Sequence, residues 1–259
     1  MVIGVDGPHG RRICSELKAA NGKTIIPISG YKSLGKGASV IKGKLYCSKG
    51  SKVHEIADLR KAKSLEGKHN WQNAAAAYAA VSALGLSIDE IGKAILNFPG
   101  LAHRMETVGE IGPVRFVNDS KATNANAAFQ ALNAYDNIYW IAGGQAKAEG
   151  IAPLSDLFPK ISKAYLIGEA APEFHKTLHK SGVDNKVSGT LEMALLCAAR
   201  DALNQSHESS IVLLSPACAS FDQFKSFEVR GEAFRTQVNS LVELFEREKA
   251  EYASRGTAA

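Results

Sequence analysis

The spacing of apolar residues divides the chain into stretches with different local structure. Up to about Gly67 the apolar residues come in short runs, at positions 24–28, 38–41 and 44–47, which predict β-strands. Lys42-Gly43 separates the last two runs and predicts a hairpin turn. Residues 1–7 look like a buried strand and its turn. We therefore expect mainly β-structure in this first stretch.

Two helices are predicted next, and a break follows them. Residues 71–84 are rich in alanine and contain no helix breaker. Ser87 and Glu90 have the spacing of a capping box, which predicts the start of a second helix. The Asn-Phe-Pro-Gly sequence beyond it cannot continue a helix. We place a domain boundary there, with one domain at residues 1–99 and another at residues 100–259.

Beyond this boundary, strands and helices alternate. Short apolar runs bounded by turn residues predict strands that are buried on both faces of a sheet, and amphipathic stretches between them predict helices. The strands are expected at 114–117, 138–142, 164–167 and 211–214, and the helices at 125–134, 172–179, 191–203 and a final segment with Phe234, Val238, Leu241, Val242 and Phe245 on one face. This alternation predicts an α/β fold with a doubly wound, mostly parallel sheet.

Composition narrows the class of protein. The chain has 259 residues, of which 45% are hydrophobic and 22% charged, which suits one large or two modest globular domains. The net charge of +5 is not gathered into a basic tract, so we expect no nucleic-acid partner. No apolar run approaches the ~20 residues that span a bilayer, and no signal peptide is present, so we expect no membrane insertion and a cytoplasmic location. The opening in mid-strand suggests a truncated chain.

The cysteines are dispersed and form no Cys-x-x-Cys pair, which indicates reduced thiols rather than a zinc site or a disulfide framework. They are Cys14, Cys47, Cys197 and Cys218. Cys218 lies in a turn of small residues, has no identifiable base, and is expected to pack in the core.

Two other patterns are set aside. Residues 21–24 end like a phosphate loop, but Leu17 stands where its first glycine belongs. His175 and His179 are four residues apart, yet no third metal ligand accompanies them.

Ligands of doubly wound sheets bind beyond the carboxyl ends of the strands. Three predicted strands end in polar turns, at residues 118–124, 143–147 and 215–220. In the first turn, Asp119 offers a carboxylate for sugar hydroxyls or a metal, Lys121 offers a cation for a phosphate or carboxylate, and Thr123 offers a hydroxyl beside a helix N-terminus. An Asx-turn with Thr123 as the helix N-cap explains the same residues equally well.

The remaining candidates are less specific. Gly143-Gly144 lets a ligand or a helix approach the backbone, and Lys147 adds a positive charge. Ser215 and Ser220 bracket a turn that could present N–H groups to a carboxylate, or simply connect a strand to a helix. Arg104 follows the domain boundary and suits a phosphoryl group, and an ordinary surface arginine is the alternative.

Together these segments resemble the Mur ligases, a family of ATP-dependent amino-acid ligases. The segments are Gly100-Leu101-Ala102-His103-Arg104-Met105-Glu106, Asn118-Asp119-Ser120-Lys121-Ala122-Thr123-Asn124, Gly143-Gly144 with Lys147, and Ser215-Pro216-Ala217-Cys218-Ala219-Ser220-Phe221-Asp222-Gln223-Phe224. The resemblance covers nearly the whole chain in order and spacing. The sequence from Ser120 to Thr123 is similar to the D-glutamate-adding type, since other Mur ligases and folylpolyglutamate synthetase look like Asp-x-x-His or Asp-x-x-Asn followed by Pro at this place.

The resemblance implies a domain organisation and a reaction. Mur ligases have a UDP-sugar domain, a central ATP-binding domain and a C-terminal Rossmann-like domain. Residues 1–99 look like the second half of the central domain, and residues 100–259 look like the complete C-terminal domain. The implied reaction adds D-glutamate to UDP-N-acetylmuramoyl-L-alanine through an acyl phosphate, in peptidoglycan precursor synthesis. The phosphate loop has no counterpart in this chain, so the chain alone is expected to be inactive.

The resemblance also assigns residues and cofactors. Asn70 and Asn73 resemble adenine contacts, His103 and Asp119 the ribose side, and Arg104 the phosphate contact. The residues that resemble the D-glutamate site are Lys121, Thr123, Lys147, Ser220, Phe221 and Phe227, with Arg104 and Lys121 as the implied catalytic residues. ATP and Mg²⁺ are the implied cofactors, with the main metal ligands outside this chain. A monomer is expected. A folate-type or other Mur-type ligase and a non-catalytic Rossmann-like binding module remain alternatives.

Overall fold

The computed structural model describes residues 1–19, 24–65, 67–205 and 209–256. The chain divides into two compact units, Met1–Gly100 and Leu101–Ala259. The division falls directly after the Asn-Phe-Pro-Gly sequence, one residue beyond the boundary drawn from the sequence. Each unit contains one β-sheet with helices packed against it.

The first unit is built on a five-stranded sheet with the order β1-β2-β3-β4-β5. Its elements are β1 (Val2–Gly4), α1 (Pro8–Ala19), β2 (Ile26–Ser29), β3 (Lys36–Ile41), β4 (Lys44–Lys49), β5 (Lys52–Asp58), two short 3-10 turns (Leu59–Lys61 and Lys63–Leu65), α2 (Lys68–Ser82) and α3 (Ile88–Leu96). β1, β2 and β3 are parallel, whereas β4 and β5 are antiparallel to their neighbours. Lys42 and Gly43 form the predicted hairpin turn, both with positive φ.

Three predictions for this unit are wrong in detail. α1 lies in a stretch expected to be β-structure, and it was missed because Cys14 is its single buried residue, so the helical spacing of apolar positions is weak. β5 was missed because most of this edge strand is exposed. β1 is half-buried rather than buried, since it pairs only with β2. The capping box is confirmed, because Ser87 and Glu90 each bond the other's backbone N–H.

The second unit contains a six-stranded sheet with the order β10-β9-β8-β11-β7-β6. Its elements are β6 (Glu106–Ile111), β7 (Val114–Asn118), α4 (Ala125–Ala134), β8 (Ile138–Gly143), a 3-10 segment (Ala152–Lys160), β9 (Ile161–Ile167), α5 (Ala171–Lys180), β10 (Asn185–Gly189), α6 (Leu191–Asn204), β11 (Ser210–Leu214) and α7 (Phe227–Gly256). All pairings are parallel except that of β6 with β7. The predicted α/β fold with a doubly wound, mostly parallel sheet is confirmed.

Helices cover both faces of this sheet. One apolar cluster joins the sheet to α4, the 3-10 segment and α5, and the other joins it to α6 and α7. Neighbouring strand residues such as Phe116 and Val117 belong to opposite clusters, as the alternation of side chains along a strand requires. The sequence missed β6 and β10, which are the two edge strands and are partly exposed. Among the described helices, none has both the length and the apolarity to cross a membrane.

Candidate functional site

The turns at the carboxyl ends of the parallel strands in the second unit are bonded to one another. We call them the rim, and define it as residues 118–124, 143–147, 168–171 and 215–222. Gly144 N donates to Ile167 O at 3.1 Å, and Gln145 and Ala219 exchange two backbone hydrogen bonds at 2.9 and 3.0 Å. A Cβ on Gly144 would lie 2.4 Å from Ala219 O. This glycine therefore lets adjacent strand ends approach one another.

Arg230 is a cation buried beneath the rim, with 1% of its surface exposed. Its guanidinium donates to Ser120 Oγ, Ser120 O and Cys218 O, each at 3.0 Å. Burial lowers its pKa to about 10, so the group stays charged at neutral pH. Sequence reasoning missed this residue, although a signal was present. Arg230 shares a helical face with Phe234 and Val238, and a charge on an apolar face needs buried partners.

Arg104 lies in a tight turn between two residues in the left-handed region. His103 has a φ of 61° and Met105 a φ of 47°, and neither is glycine. Such residues cost roughly 1–3 kcal/mol each and are kept where the surrounding structure holds them. His103 and Met105 are buried, whereas Arg104 is exposed. The turn is thus anchored by the two flanking residues and presents the guanidinium to solvent.

The turn around Arg104 is hydrogen-bonded to the end of β7 and to the rim residues that follow it. Asn118 Nδ2 lies 3.1 Å from His103 Nδ1, and Lys121 N donates to His103 O at 2.9 Å. An amide nitrogen is a donor only, so Nδ1 is the acceptor in this contact. Gly231 packs against this ring so closely that a Cβ there would lie 2.3 Å from Nδ1. The imidazole is therefore fixed by residues from β7 and α7.

Asp119 is the most perturbed carboxyl group of the rim. Its Oδ1 accepts Met105 N–H at 3.2 Å and its Oδ2 accepts the Ser215 hydroxyl at 2.7 Å. Trp140 Nε1 in turn donates to Ser215 O at 2.8 Å. Only 5% of Asp119 is exposed, and this burial raises its pKa to about 7, against the lowering effect of the two hydrogen bonds and of Arg104. The carboxylate thus holds the left-handed turn from below.

Lys121 lies over the ring of Phe227, with Nζ 4.1 Å from the ring centroid. The same ring meets His103 edge-on at 6.5 Å between centroids, and Phe227 O accepts the Ser120 hydroxyl at 2.8 Å. A lysine over an aromatic face is attracted by the ring's quadrupole. Phe227 therefore orients the predicted cation through its side chain, which the sequence did not suggest.

The interpretation of Thr123 as the N-cap of α4 is wrong. Asn124 is the N-cap, and its Oδ1 accepts Ala127 N–H at 3.0 Å. Asparagine is one of the preferred capping residues, so it takes this role one position later. Thr123 is half-buried in the turn, and its hydroxyl does not cap the helix.

The remaining predicted D-glutamate residues lie on neighbouring parts of the rim. Lys147 is exposed after β8, and Ser220 is buried after β11, where its carbonyl accepts Phe224 N–H at 2.7 Å. Phe221 is 69% exposed. Within the described ranges, no hydrogen bond, ion pair or ring contact joins the side chains of Lys147 or Phe221 to the other predicted site residues. The structure thus brings Lys121, Phe227 and His103 into contact and leaves Lys147 and Phe221 as free surface groups.

In the first unit, Asn70 and Asn73 lie in the first turns of α2. Asn73 Nδ2 donates to Asn70 Oδ1 at 3.4 Å. Asn73 also lines a cavity of about 380 Å³ between α2 and α3, whose other walls are mostly apolar and include Ala74, Ile91 and Phe98. The two predicted adenine contacts are therefore adjacent, and one of them borders an apolar cavity.

The Asp6 carboxylate holds the start of α2 in place. Asp6 Oδ2 accepts Gln72 Nε2 and Gly30 N, each at 2.7 Å, and Asp6 Oδ1 accepts the Ser29 hydroxyl. Asp6 follows β1 and Ser29 ends β2, so the start of α2 is tied to the carboxyl ends of two parallel strands. No role was predicted for Asp6 from the sequence.

The patterns set aside earlier have structural explanations. His175 and His179 stack at 5.8 Å between centroids, and His175 Nδ1 lies 2.6 Å from Asn185 Oδ1. No three His, Cys, Asp or Glu residues of the described ranges are grouped so that they could hold a metal ion. Cys218 is buried in the core as predicted, and burial raises its pKa to about 12. Residues 21–23, with the phosphate-loop-like sequence, lie outside the described residues.

Comparison with known proteins identifies relatives of both units. Residues 103–218 match the family model described as "Mur ligase, glutamate ligase domain". The chain is 59% identical over 240 residues to the UDP-N-acetylmuramoylalanine--D-glutamate ligase of Caulobacter vibrioides, covering 93% of this chain and 50% of that protein. It is 56% identical over 242 residues to the ligase of the same name from Phenylobacterium zucineum, covering 93% and 51%. The chain thus spans about half the length of these curated relatives.

Solved structures share the fold at low sequence identity. MurF from Acinetobacter baumannii is 17% identical, with a TM-score of 0.58 over 92% of this chain and 51% of that one. A pseudomurein peptide ligase type C from Methanothermus fervidus is 14% identical, with a TM-score of 0.58 over 93% of this chain and 56% of that one.

Proposed function

The chain belongs to the Mur ligase family, and from this membership we propose that a protein containing it joins D-glutamate to UDP-N-acetylmuramoyl-L-alanine in an ATP-dependent reaction of peptidoglycan precursor synthesis. The relatives that carry this activity in their names are about twice as long as the chain. The observation that carries the proposal is the rim, where Lys121 is held over Phe227 beside the turn that presents Arg104.

The rim suits an amino acid with two carboxylates. D-Glutamate needs positive or N–H-bearing groups at two separate places, because its α-carboxylate and side-chain carboxylate point apart. Thr123 and Lys147 are proposed for the α-carboxylate, and Lys121 is proposed for the same D-glutamate site. Ser220, with the neighbouring Phe221 and Phe227, is proposed for the side-chain carboxylate. The Thr123 hydroxyl is available for this role, since Asn124 rather than Thr123 caps α4.

Arg104 and Lys121 are proposed as the catalytic residues. In the proposed reaction the substrate carboxylate attacks the γ-phosphoryl group of ATP, and the amine of D-glutamate then displaces phosphate from the acyl phosphate. The first step brings two anions together, and the second develops negative charge on the tetrahedral intermediate and on the departing phosphate, so fixed cations lower both barriers. The exposed Arg104 guanidinium can bind a phosphoryl group through two parallel bonds. Lys121 offers a positive charge where the D-glutamate amine attacks.

The nucleotide contacts are proposed separately for each unit. In the first unit, Asn70 and Asn73 are proposed for the adenine, which is supported by their adjacent amides and by the apolar cavity beside Asn73. In the second unit, His103 and Asp119 are proposed for the ribose side. Because Asp119 is almost fully buried, its part is to shape the turn that faces the ribose.

Mg²⁺ is proposed as a requirement of the complete reaction, but the described residues do not fit a metal centre, since no three potential ligands are grouped. We therefore derive no step through a metal from this chain. The cytoplasmic location remains a proposal that the dependence on ATP supports, and the monomeric state remains a prediction.

A chimera tests the proposal. This chain replaces the matching half of the Caulobacter vibrioides ligase, with which it shares 59% identity. We expect release of phosphate from ATP that depends on UDP-N-acetylmuramoyl-L-alanine and on D-glutamate. L-Glutamate should not support the reaction, and turnover with L-glutamate instead would overturn the assignment of the amino acid. The chain alone, which contains no Gly-x-x-x-x-Gly-Lys-Ser/Thr sequence, is expected to release no phosphate.

The lysine that the rim orients provides the matched variants. Lys121→Ala in the chimera should lower kcat at least ~100-fold, as removal of a preorganised charge does in other enzymes. Lys176→Ala changes an exposed lysine on α5 and should leave kcat within about twofold, as surface substitutions usually do. Equal effects of the two substitutions would contradict the proposed role of Lys121.

A further inference from the structure

The left-handed turn around Arg104 has one more restraint, which lies outside the rim. Glu106, the first residue of β6, accepts the His103 N–H through Oε2 at 2.9 Å. The same carboxylate accepts hydrogen bonds from Arg235 Nη2, at 2.8 Å on Oε1 and at 2.9 Å on Oε2. Arg235 belongs to α7 and lies 129 positions further along the chain. A long-range ion pair is therefore bonded directly to the backbone of the turn.

We infer that Glu106 is a positioning residue for Arg104 and that Arg235 keeps Glu106 in place. This inference rests on the proposed function, in which Arg104 meets the phosphoryl group. No role was predicted from the sequence for either Glu106 or Arg235. Their part is to hold the backbone on the N-terminal side of Arg104, as Asp119 holds it on the C-terminal side through Met105 N–H.

The geometry of the turn supports this role. His103 is buried, so its backbone N–H needs a hydrogen-bond partner. The Glu106 carboxylate supplies it, while Lys121 N–H satisfies the His103 carbonyl. The backbone on both sides of Arg104 is therefore bonded, and the guanidinium itself stays exposed. Because the backbone around Arg104 is already fixed, less conformational entropy of the protein is lost when its guanidinium binds an anion.

The ion pair is better suited to fixing geometry than to adding stability. The Arg235 and Glu106 side chains are 31% and 26% exposed, and partly exposed pairs contribute little net free energy. Arg235 nevertheless bonds both carboxylate oxygens, which fixes the plane of the carboxylate more firmly than one bond would. The orientation of Oε2 toward His103 N–H depends on that plane.

Hydrogen exchange on the 259-residue chain tests the restraint without any activity. In Glu106→Ala, the amides of residues 103–105 should exchange at least ~10-fold faster, because the turn opens locally. Lys163→Met is the matched control. It breaks a comparable pair of the same unit, Lys163 with Asp201 at 3.1 Å, and should leave exchange in the turn within about twofold. Unchanged exchange in Glu106→Ala would overturn the inference.

A double-mutant cycle in the chimera tests whether Glu106 acts through Arg104. Glu106→Ala should lower kcat about 10-fold, since small displacements of a catalytic group are costly, while the KM for D-glutamate stays within about twofold. In an Arg104→Ala background the same change should alter kcat by less than ~2-fold. Glu106→Gln should recover most of the loss, because its amide oxygen still accepts the His103 N–H.

The outcomes separate the two proposals. Equal losses from Glu106→Ala with and without Arg104 would show that Glu106 acts independently, and would sink the positioning role. A parent chimera that uses L-glutamate or no amino acid would count against the proposed function alone, and the exchange measurement would still decide whether Glu106 holds the turn.

Discussion

Each unit pairs a carboxylate at the end of one parallel strand with a serine at the end of the neighbouring strand. In the first unit Asp6 follows β1 and accepts the hydroxyl of Ser29 from β2. In the second unit Asp119 follows β7 and accepts the hydroxyl of Ser215 after β11. The local arrangement is the same, although the two sheets differ in strand order and in their share of antiparallel pairs.

The two carboxylates differ in what else they hold. Asp6 is half-buried and accepts two further N–H groups, from Gly30 and Gln72, so that it fixes a helix. Asp119 is almost fully buried and accepts one further N–H group, from Met105, so that it fixes a turn with left-handed residues. With fewer donors and more burial, Asp119 has a pKa raised to about 7. The same aspartate–serine pair thus stabilises a helix in one unit and holds a turn with left-handed residues in the other.

Removing each carboxylate should give the largest contrast. Asp119→Ala leaves Met105 N–H and the Ser215 hydroxyl buried without their partner, and releases the turn. In the chimera we expect kcat to fall at least ~100-fold. Asp6→Ala should instead raise the KM for ATP several-fold, because α2 carries the proposed adenine contacts, and should leave kcat near its starting value. Steady-state kinetics at varied ATP would contradict the comparison if both variants lost kcat alike.

The second-largest contrast is expected in the pH dependence of unfolding, to which Asp119 and Asp6 should contribute differently. Folding raises the pKa of Asp119 from 3.8 to about 7, so in that window the folded chain holds a proton that the unfolded chain has lost. Stability from this group therefore falls as pH rises from 3.8 to 7, and between pH 5 and 8 the loss is roughly 2–3 kcal/mol. Denaturant unfolding of Asp119→Asn should lack this slope, whereas Asp6→Asn should keep it. A wild-type-like slope in Asp119→Asn would refute the assignment.

The serines should show a smaller effect. Ser215→Ala removes the hydroxyl from Asp119 Oδ2 and should cost about 1–2 kcal/mol of unfolding free energy. It should also raise the pKa of Asp119 further, since this hydrogen bond lowers it. Ser29→Ala should cost at least as much, because Ser29 Oγ also accepts the N–H groups of Tyr31 and Lys32. Ser215→Ala should therefore shift the pH profile of denaturant unfolding.

The smallest effect is expected from the aromatic rings beside each pair. Lys121 lies 4.1 Å from the Phe227 ring, and Lys32 lies 5.3 Å from the Tyr31 ring. In the chimera, Phe227→Leu should raise the KM for D-glutamate about 3–5-fold, as loss of a cation–π contact predicts, and Phe227→Tyr should restore it. Tyr31→Leu is the control in the first unit and should leave this KM unchanged. A rise with Tyr31→Leu would indicate a general loss of structure.

The sequence predicted the elements that contain a run or a face of buried apolar residues, and it missed those with few buried positions. The central strands β7, β8, β9 and β11 contain buried apolar runs and were found, whereas α1 and the edge strands β5, β6 and β10 have too few buried positions to show a pattern. The capping box of α3 was found because its two bonds are local. The cap of α4 was placed one residue early, since Thr123 and Asn124 are both capable caps.

For the candidate site, sequence reasoning found residues that lie next to one another in the chain and missed their distant partners. Lys121, Asp119 and Arg104 stand in recognisable segments. Arg230 and Arg235 do not, because what gives each its role is a contact with a residue more than 100 positions earlier. Such contacts are set by the topology of the sheet, which no local pattern records.

The helix α7 has a consequence for the order of folding. It carries Phe227, Arg230, Gly231 and Arg235, and it follows every strand of the second sheet in the chain. Contacts between distant residues form late, because a long loop must first close. The sheet can therefore assemble while the turn around Arg104 is still unrestrained, and the rim gains its final geometry when α7 docks. A folding intermediate of this unit would have its sheet and the apolar cluster with α4 and α5 in place before its site.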